Sequence, residues 1–249
     1  MNWMGIVGLI LVVLCVGMIV GLVLISRKRP LPPLRPSPAI SWLQRAIGQA
    51  VEGGSRLHVS LGSANLLTPQ NVSALIGLAV LKQVARLGIN SDQAPIATSG
   101  ESNLAILSQD VLRSAAQDAH SPEQYDPGLG RLTGLTPFSY AVGAISTVTS
   151  EQASANILLG NFGPEVVYLT DAAERSQSFS LGGSDALAGQ AVLYATVEAP
   201  LIGEELFASS AHICAGQSHI ASLHVQDVLR WGLAAVLVGG AILKLVGIL

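Results

Sequence analysis

Uninterrupted apolar runs close both ends of the chain, and between them apolar positions fall into short groups with changing period. Residues 3–25 carry no charged side chain, and residues 231–249 carry only Lys244. Each run matches the roughly 20 residues an α-helix needs to cross a bilayer, so the pattern predicts a transmembrane helix at each end. A cleaved signal peptide is the competing reading of the first run. It calls for a basic leader, a shorter apolar stretch and a small-residue cleavage site, and the run has none of the three. A buried terminal helix competes for the second run, loosened by Gly232, Gly239, Gly240 and Gly247. Its apolar surface continues nearly all round, which suits lipid better than a one-sided core contact.

Between these runs, residues 39–230 alternate compact apolar stretches with helical periodicity. Residues 57–62, 94–98, 153–159, 178–181 and 194–197 read as strands. Residues 73–87, 102–119, 164–174, 185–192 and 203–215 read as helices; in the first, Leu75, Leu78, Val80, Leu81 and Val84 recur at helical spacing. Residues 120–136, rich in Pro and Gly, read as a long loop, and 137–148 fits either helix or strand. Strands alternating with helices imply parallel pairing through right-handed crossovers. The predicted fold is therefore α/β: a Rossmann-like three-layer domain with a mostly parallel sheet of four to six strands, flanked by N- and C-terminal transmembrane helices.

The flanks orient the membrane segments. Arg27, Lys28, Arg29 and Arg35 follow the first run and nothing basic precedes it. The positive-inside bias puts the N-terminus outside and the main domain in the cytoplasm of a two-pass cell-membrane protein. Arg230 agrees with a cytoplasmic start to the second run, Lys244 can extend its ammonium to the far surface, and Trp3 and Trp231 fall at opposite interfaces. The basic, Pro-rich linker 26–38 favours polyproline geometry. It would act either as a spacer of about 20–30 Å or as a strap along the domain. Gly17 and Gly21 form a GxxxG step, and Ala235 and Gly239 share a face of the last helix. Small residues so spaced allow close packing in lipid, as a pair within the chain or between subunits.

Charge narrows the partners. Residues 39–230 hold 8 Lys/Arg and 16 Asp/Glu, a net charge of −8. An acidic domain without clustered cations argues against nucleic acid. Those 24 charges in 192 residues are half the usual quarter. Part of the surface is then expected to be covered, by other copies of the chain or by other proteins, unless Ser, Thr, Gln and Asn supply its polarity. The expected partners are the lipid bilayer and a homo-oligomer. Cys15 and Cys214 form neither a disulfide framework nor a CxxC site.

Candidate chemistry gathers at the turns. Thr98-Ser99-Gly100-Glu101, Gly163-Pro164-Glu165, Gly183-Ser184-Asp185 and Gly203-Glu204-Glu205 each place glycine and an acid at a helix start. Thr98 with Glu101 matches a capping box, and Pro164 suits a first helical position. In an open parallel sheet such turns meet at the carboxyl edge, where ligands bind. Ser99, Glu101, Glu165, Asp185, Glu204 and Glu205 are the candidate ligand-binding set, for a divalent cation or acid–base chemistry. The plainer account is that acids at helix starts are stabilised by the helix dipole, by about 0.3–1 kcal/mol each. No GxGxxG, Walker A, HExxH or EF-hand spacing is present, no GxSxG elbow surrounds Ser60, Ser63, Ser99 or Ser184, and no cofactor is expected. His212 and His219 are seven apart and could share a helix face, with polar or interface roles expected ahead of a metal site.

The strings His58-Val59-Ser60-Leu61-Gly62, Ala97-Thr98-Ser99-Gly100-Glu101, Gln109-Asp110-Val111, residues 151–160 and above all Ile202-Gly203-Glu204-Glu205-Leu206-Phe207-Ala208 carry a likeness. Over most of residues 55–230 the chain resembles an uncharacterised family of prokaryotic membrane-anchored α/β domains of the Chloroflexota type. The resemblance implies the same helix–domain–helix layout and brings no activity or catalytic residue. Two functional expectations follow. One is a non-enzymatic, membrane-anchored protein that self-assembles or scaffolds partners at the cytoplasmic membrane face. The other is a membrane-tethered receptor or enzyme with an acidic small-ligand or metal site at the sheet's carboxyl edge.

Overall fold

The structure, a computed structural model, describes residues 3–26, 37–67, 71–88, 91–214 and 217–245. The basic residues Arg27, Lys28, Arg29 and Arg35 and most of the Pro-rich linker lie outside the described residues. Two compact units emerge, one containing both chain ends and the other spanning Pro36–Cys214.

The first unit consists of α1 (Trp3–Ser26) and α9 (Gln217–Leu245), which pack on each other. Both contain a stretch long and apolar enough to cross a membrane, Gly5–Ser26 and His219–Leu245. At 24 residues α1 spans about 36 Å, against about 30 Å of hydrocarbon. Residues 217–230, assigned to the middle domain on composition, instead open α9. His219, His224, Asp227 and Arg230 interrupt its hydropathy but not its helix, because no glycine or proline intervenes between Gln217 and Arg230.

The second unit is a six-stranded, all-parallel sheet in the order β3-β2-β1-β4-β5-β6. Its strands are β1 (Leu57–Gly62), β2 (Ile96–Ser99), β3 (Gly130–Leu132), β4 (Ala155–Asn161), β5 (Phe179–Ser184) and β6 (Ala199–Leu201). This is the doubly wound Rossmann-like order, with its reversal between β1 and β4. The helices are α2 (Pro38–Glu52), α3 (Asn71–Gly88), α4 (Ser102–Asp118), α5 (Pro137–Ser150), α6 (Val166–Arg175), α7 (Leu187–Thr196) and α8 (Glu204–Cys214).

Strand alternation separates two chemically different faces. Leu57, Val59, Leu61, Ala97, Ala155, Ile157, Leu159 and Leu181 join one apolar core with residues of α2, α3, α4 and α8. On the other face Leu158 packs with Tyr140, Ala141 and Ala144 of α5, Val166 and Leu169 of α6, and Leu193 of α7. Interleaved with Leu158 on that second face are buried His58, Ser60, Thr98, Asn156, Ser180 and Ser184. Parallel strands buried on both sides are ordinarily apolar throughout, so this polar face needs its own hydrogen-bond partners.

Several elements differ from the sequence reading. α2 has no counterpart among the expected elements; its Ala39, Ile40, Leu43, Ala46, Ile47 and Ala50 lie buried along one stripe, with a proline at its start. The 120–136 loop contains two single 3₁₀ turns and the short edge strand β3. Residues 137–148 form a helix, opened by a capping box between Thr136 and Ser139. The strand expected at 194–197 is the last turn of α7 with its cap at Val197. β6 falls later and accommodates Pro200 because it is an edge strand.

Candidate functional site

The reversal between β1 and β4 opens a crevice at the carboxyl edge in folds of this order. In this chain several of its own hydrogen bonds cross that edge. β1 ends at Gly62, whose φ of +70° lets the backbone turn left-handed. The Ser63 N–H then donates to the Asn161 carbonyl at 3.0 Å, and the Gly100 N–H to the Gly62 carbonyl at 2.8 Å. Asp185, just past β5, accepts from Ser73 Oγ at 2.7 Å and from Asn161 Nδ2 at 2.6 Å. One carboxylate thus ties the first turn of α3 to the end of β4. Ser184 Oγ donates to the Phe162 carbonyl at 2.9 Å and accepts from the Phe162 N–H at 3.0 Å, joining the ends of β4 and β5.

The predicted acids are dispersed among local tasks. Glu165 is buried and turns back to accept from the Gly163 N–H at 2.8 Å. Glu205 is exposed and approaches the Ile202 N–H at 3.5 Å; with Glu204 it fills the first turn of α8, as expected for helix-start charges. Glu101 is the N-cap of α4 without a side-chain cap bond, and Ser99 Oγ donates to the Glu101 carbonyl at 3.2 Å. The expected Thr98–Glu101 capping box is absent, because Thr98 lies within β2 and bonds His58 instead. Pro164 precedes the N-cap Glu165 rather than occupying the first helical position. Among the described residues no three His, Cys, Asp or Glu come together to hold a metal ion. His212 sits on α8 and His219 on α9, so they share no helix face.

The small residues of the two long apolar helices are not spent on the α1–α9 contact. A methyl group added at Gly17, Gly21 or Gly239 would meet nothing within 4 Å, and Ala235 is exposed.

The polar constellation that sequence reasoning missed runs through the second face of the sheet. The carbonyl of Ala173 can only accept, so Ser178 Oγ donates to it at 3.0 Å. Ser178 then accepts from Asn156 Nδ2 at 2.7 Å, leaving Asn156 Oδ1 to accept from His58 Nδ1–H at 2.9 Å. His58 Nε2 is therefore the bare nitrogen and accepts from Thr98 Oγ1 at 2.9 Å. Beside it the buried Tyr140 hydroxyl bonds Ser60 Oγ and accepts from the Gly62 N–H at 3.3 Å. Burial lowers the His58 pKa from 6.5 to about 4; the Asn156 hydrogen bond opposes this and the Arg131 cation adds to it. Burial likewise raises the Tyr140 pKa, against its hydrogen bonds with Ser60 and the Gly62 N–H. A neutral imidazole with both nitrogens engaged and a protonated phenol together tie β1, β2, β4 and α5. The signal that could have found them is the polar residue at every second position of a strand such as Leu57-His58-Val59-Ser60-Leu61.

At the amino edge, Glu151 accepts from Arg56 and Arg131, each at 2.6 Å, joining the entry to β1, the strand β3 and the end of α5.

Comparison with protein families matches a domain of unknown function, DUF6754, over residues 1–249. The chain belongs to this family. Comparisons with curated proteins and with solved structures return no match. The DUF6754 chain is thus an α/β domain flanked in sequence by two long apolar helices, with a carboxyl edge held by its own side chains.

Proposed function

We propose that this DUF6754 protein is a non-enzymatic, bacterial membrane-anchored module that self-assembles or scaffolds partner proteins at the cytoplasmic face. In this reading α1 and α9 are its two passes, the family is of the Chloroflexota type, and the bilayer and further copies of the chain are its partners. The observation that carries the reading is the surface: large apolar side chains stand exposed on a domain unusually poor in charge. Leu75, Ile106, Phe138, Val142, Tyr168, Leu187 and Tyr194 are all exposed. Soluble monomers rarely leave extended apolar surface uncovered. The self-satisfied carboxyl edge supports the same reading, since Asp185, Glu165 and Glu205 are already engaged by the chain itself.

Native mass spectrometry of the full chain released from mild detergent tests this. Discrete oligomers without added mass are expected. A monomer that retains a small molecule or metal ion would refute assembly and favour a ligand site.

A further inference from the structure

We propose that the chain self-associates through the outer face of α5 and α6, meeting a second copy of itself across a two-fold axis. This rests on the self-assembly reading and adds which surface makes the contact. Phe138 and Val142 lie one turn apart on α5, exposed by 61% and 65%. The Phe138 ring meets Tyr168 of α6 edge-on, with centroids 6.3 Å apart, and Tyr168 is itself 48% exposed. Leu135, 70% exposed, stands just before α5 in sequence, and Val167, 39% exposed, precedes Tyr168 on α6.

Area and charge both favour a second copy as the occupant. With aromatic side chains burying about 150–250 Å² each, these five residues present on the order of 450 Å² of apolar surface. A standard stable interface buries about 800 Å² per partner, of which about 450–520 Å² is apolar. The patch is therefore the right size for the apolar part of one such interface. In a two-fold contact only the residues at the axis meet their own copies, so a charge at the centre would oppose a like charge. Residues 132–150, which include all of α5, contain no Asp, Glu, Lys, Arg or His. On α6, Asp171 pairs with Arg175 at 2.9 Å, Glu174 lies in the last turn, six residues beyond Tyr168, and the N-cap Glu165 is buried. A neutral, apolar, aromatic-centred face can meet itself without penalty, and aromatic side chains at an interface centre carry much of its binding energy.

The test uses the full chain in mild detergent or nanodiscs, with Cys15→Ser and Cys214→Ser to remove the native thiols. Val142→Cys should cross-link to its counterpart in high yield with a short bis-maleimide, which spans an offset from the axis, while Asp110→Cys, on α4 against the opposite face of the sheet, should not. Separately, Phe138→Glu with Tyr168→Glu should raise the dimer dissociation constant at least about 100-fold with unchanged circular dichroism. If the glutamate variant does not fold, the Val142→Cys cross-link alone decides. Oligomers that persist in the glutamate variant, with position 142 silent, would overturn this face while leaving self-assembly standing. A wild-type chain that stays monomeric at every concentration would overturn both. A cross-link at position 142 only to a different protein would assign the face to that partner and overturn the two-fold contact.

Discussion

His58 should make the domain lose stability in mild acid, over a pH window set by its burial. The imidazole is fully enclosed, donates from Nδ1 to Asn156 and accepts at Nε2 from Thr98. Its pKa falls from 6.5 in the unfolded chain to about 4 in the fold. Between those values the unfolded state binds a proton that the folded state refuses, so stability rises with pH through the window. The contribution is fully present above pH 6.5 and is lost progressively as pH falls towards 4. At 1.36 kcal/mol per pKa unit the whole window is worth about 3 kcal/mol, a large share of a typical net stability of 5–15 kcal/mol. The perturbation is His58→Gln, whose amide can donate to Asn156 and accept from Thr98 without titrating. Denaturation of both proteins in the same detergent, followed by circular dichroism from pH 7 to pH 4, gives the stability difference at each pH. Carboxylates titrate in both proteins and cancel in the difference. The variant should be destabilised at pH 7 and recover about 3 kcal/mol relative to wild type by pH 4. Parallel pH profiles would refute the assigned burial, and a ¹⁵N spectrum placing the His58 proton on Nε2 would refute the hydrogen-bond order.

Three further outcomes follow from the same contacts. Tyr140→Phe leaves Ser60 Oγ and the Gly62 N–H without the hydroxyl they share; it should cost about 1–3 kcal/mol and speed hydrogen exchange at the Gly62 amide, with unchanged exchange as the contrary result. Gly77→Ala places a Cβ 2.5 Å from the Leu159 carbonyl and 2.9 Å from Leu61 Cδ2; it should cost about 1–3 kcal/mol by overpacking, whereas Gly17→Ala, in open space, should leave thermal unfolding unchanged. Asp185→Ala removes the shared acceptor of Ser73 and Asn161 and should lower stability by about 1–3 kcal/mol while leaving the oligomer intact; its dissociation would contradict the separation between this edge and the assembling face.

Hydrophobic period alone was enough to read the outer helices and the alternation of strand and helix, because those signals are local. α1 and the 57–62 strand stand out as continuous apolar runs. α2 is equally legible in its buried stripe of Ala39, Ile40, Leu43, Ala46, Ile47 and Ala50, but it follows the Pro-rich linker directly in sequence, which blurs its start. The two edge strands were harder. β3 and β6 are three residues each, too short for a period to register. Tyr194 to Val197 have strand-favouring side chains, yet the α7 hydrogen bonding carries through them, a tertiary override of local propensity. At the candidate site the acids were legible as residues at helix starts. Their partners were not, since Asp185 meets Ser73 across 112 positions and only the completed sheet brings them together. The His58 network was hidden for the same reason: a histidine inside an apolar strand declares a buried polar group, but not that Asn156, 98 positions away, will satisfy it.

The central claim, that this DUF6754 chain works by assembling at the membrane, is tested most directly by native mass spectrometry of the intact protein released from mild detergent. The account predicts a discrete oligomer whose mass is an integral multiple of the chain's 25.7 kDa and whose dissociation follows dilution. A monomer carrying reproducible extra mass would contradict it and place the function in a bound ligand.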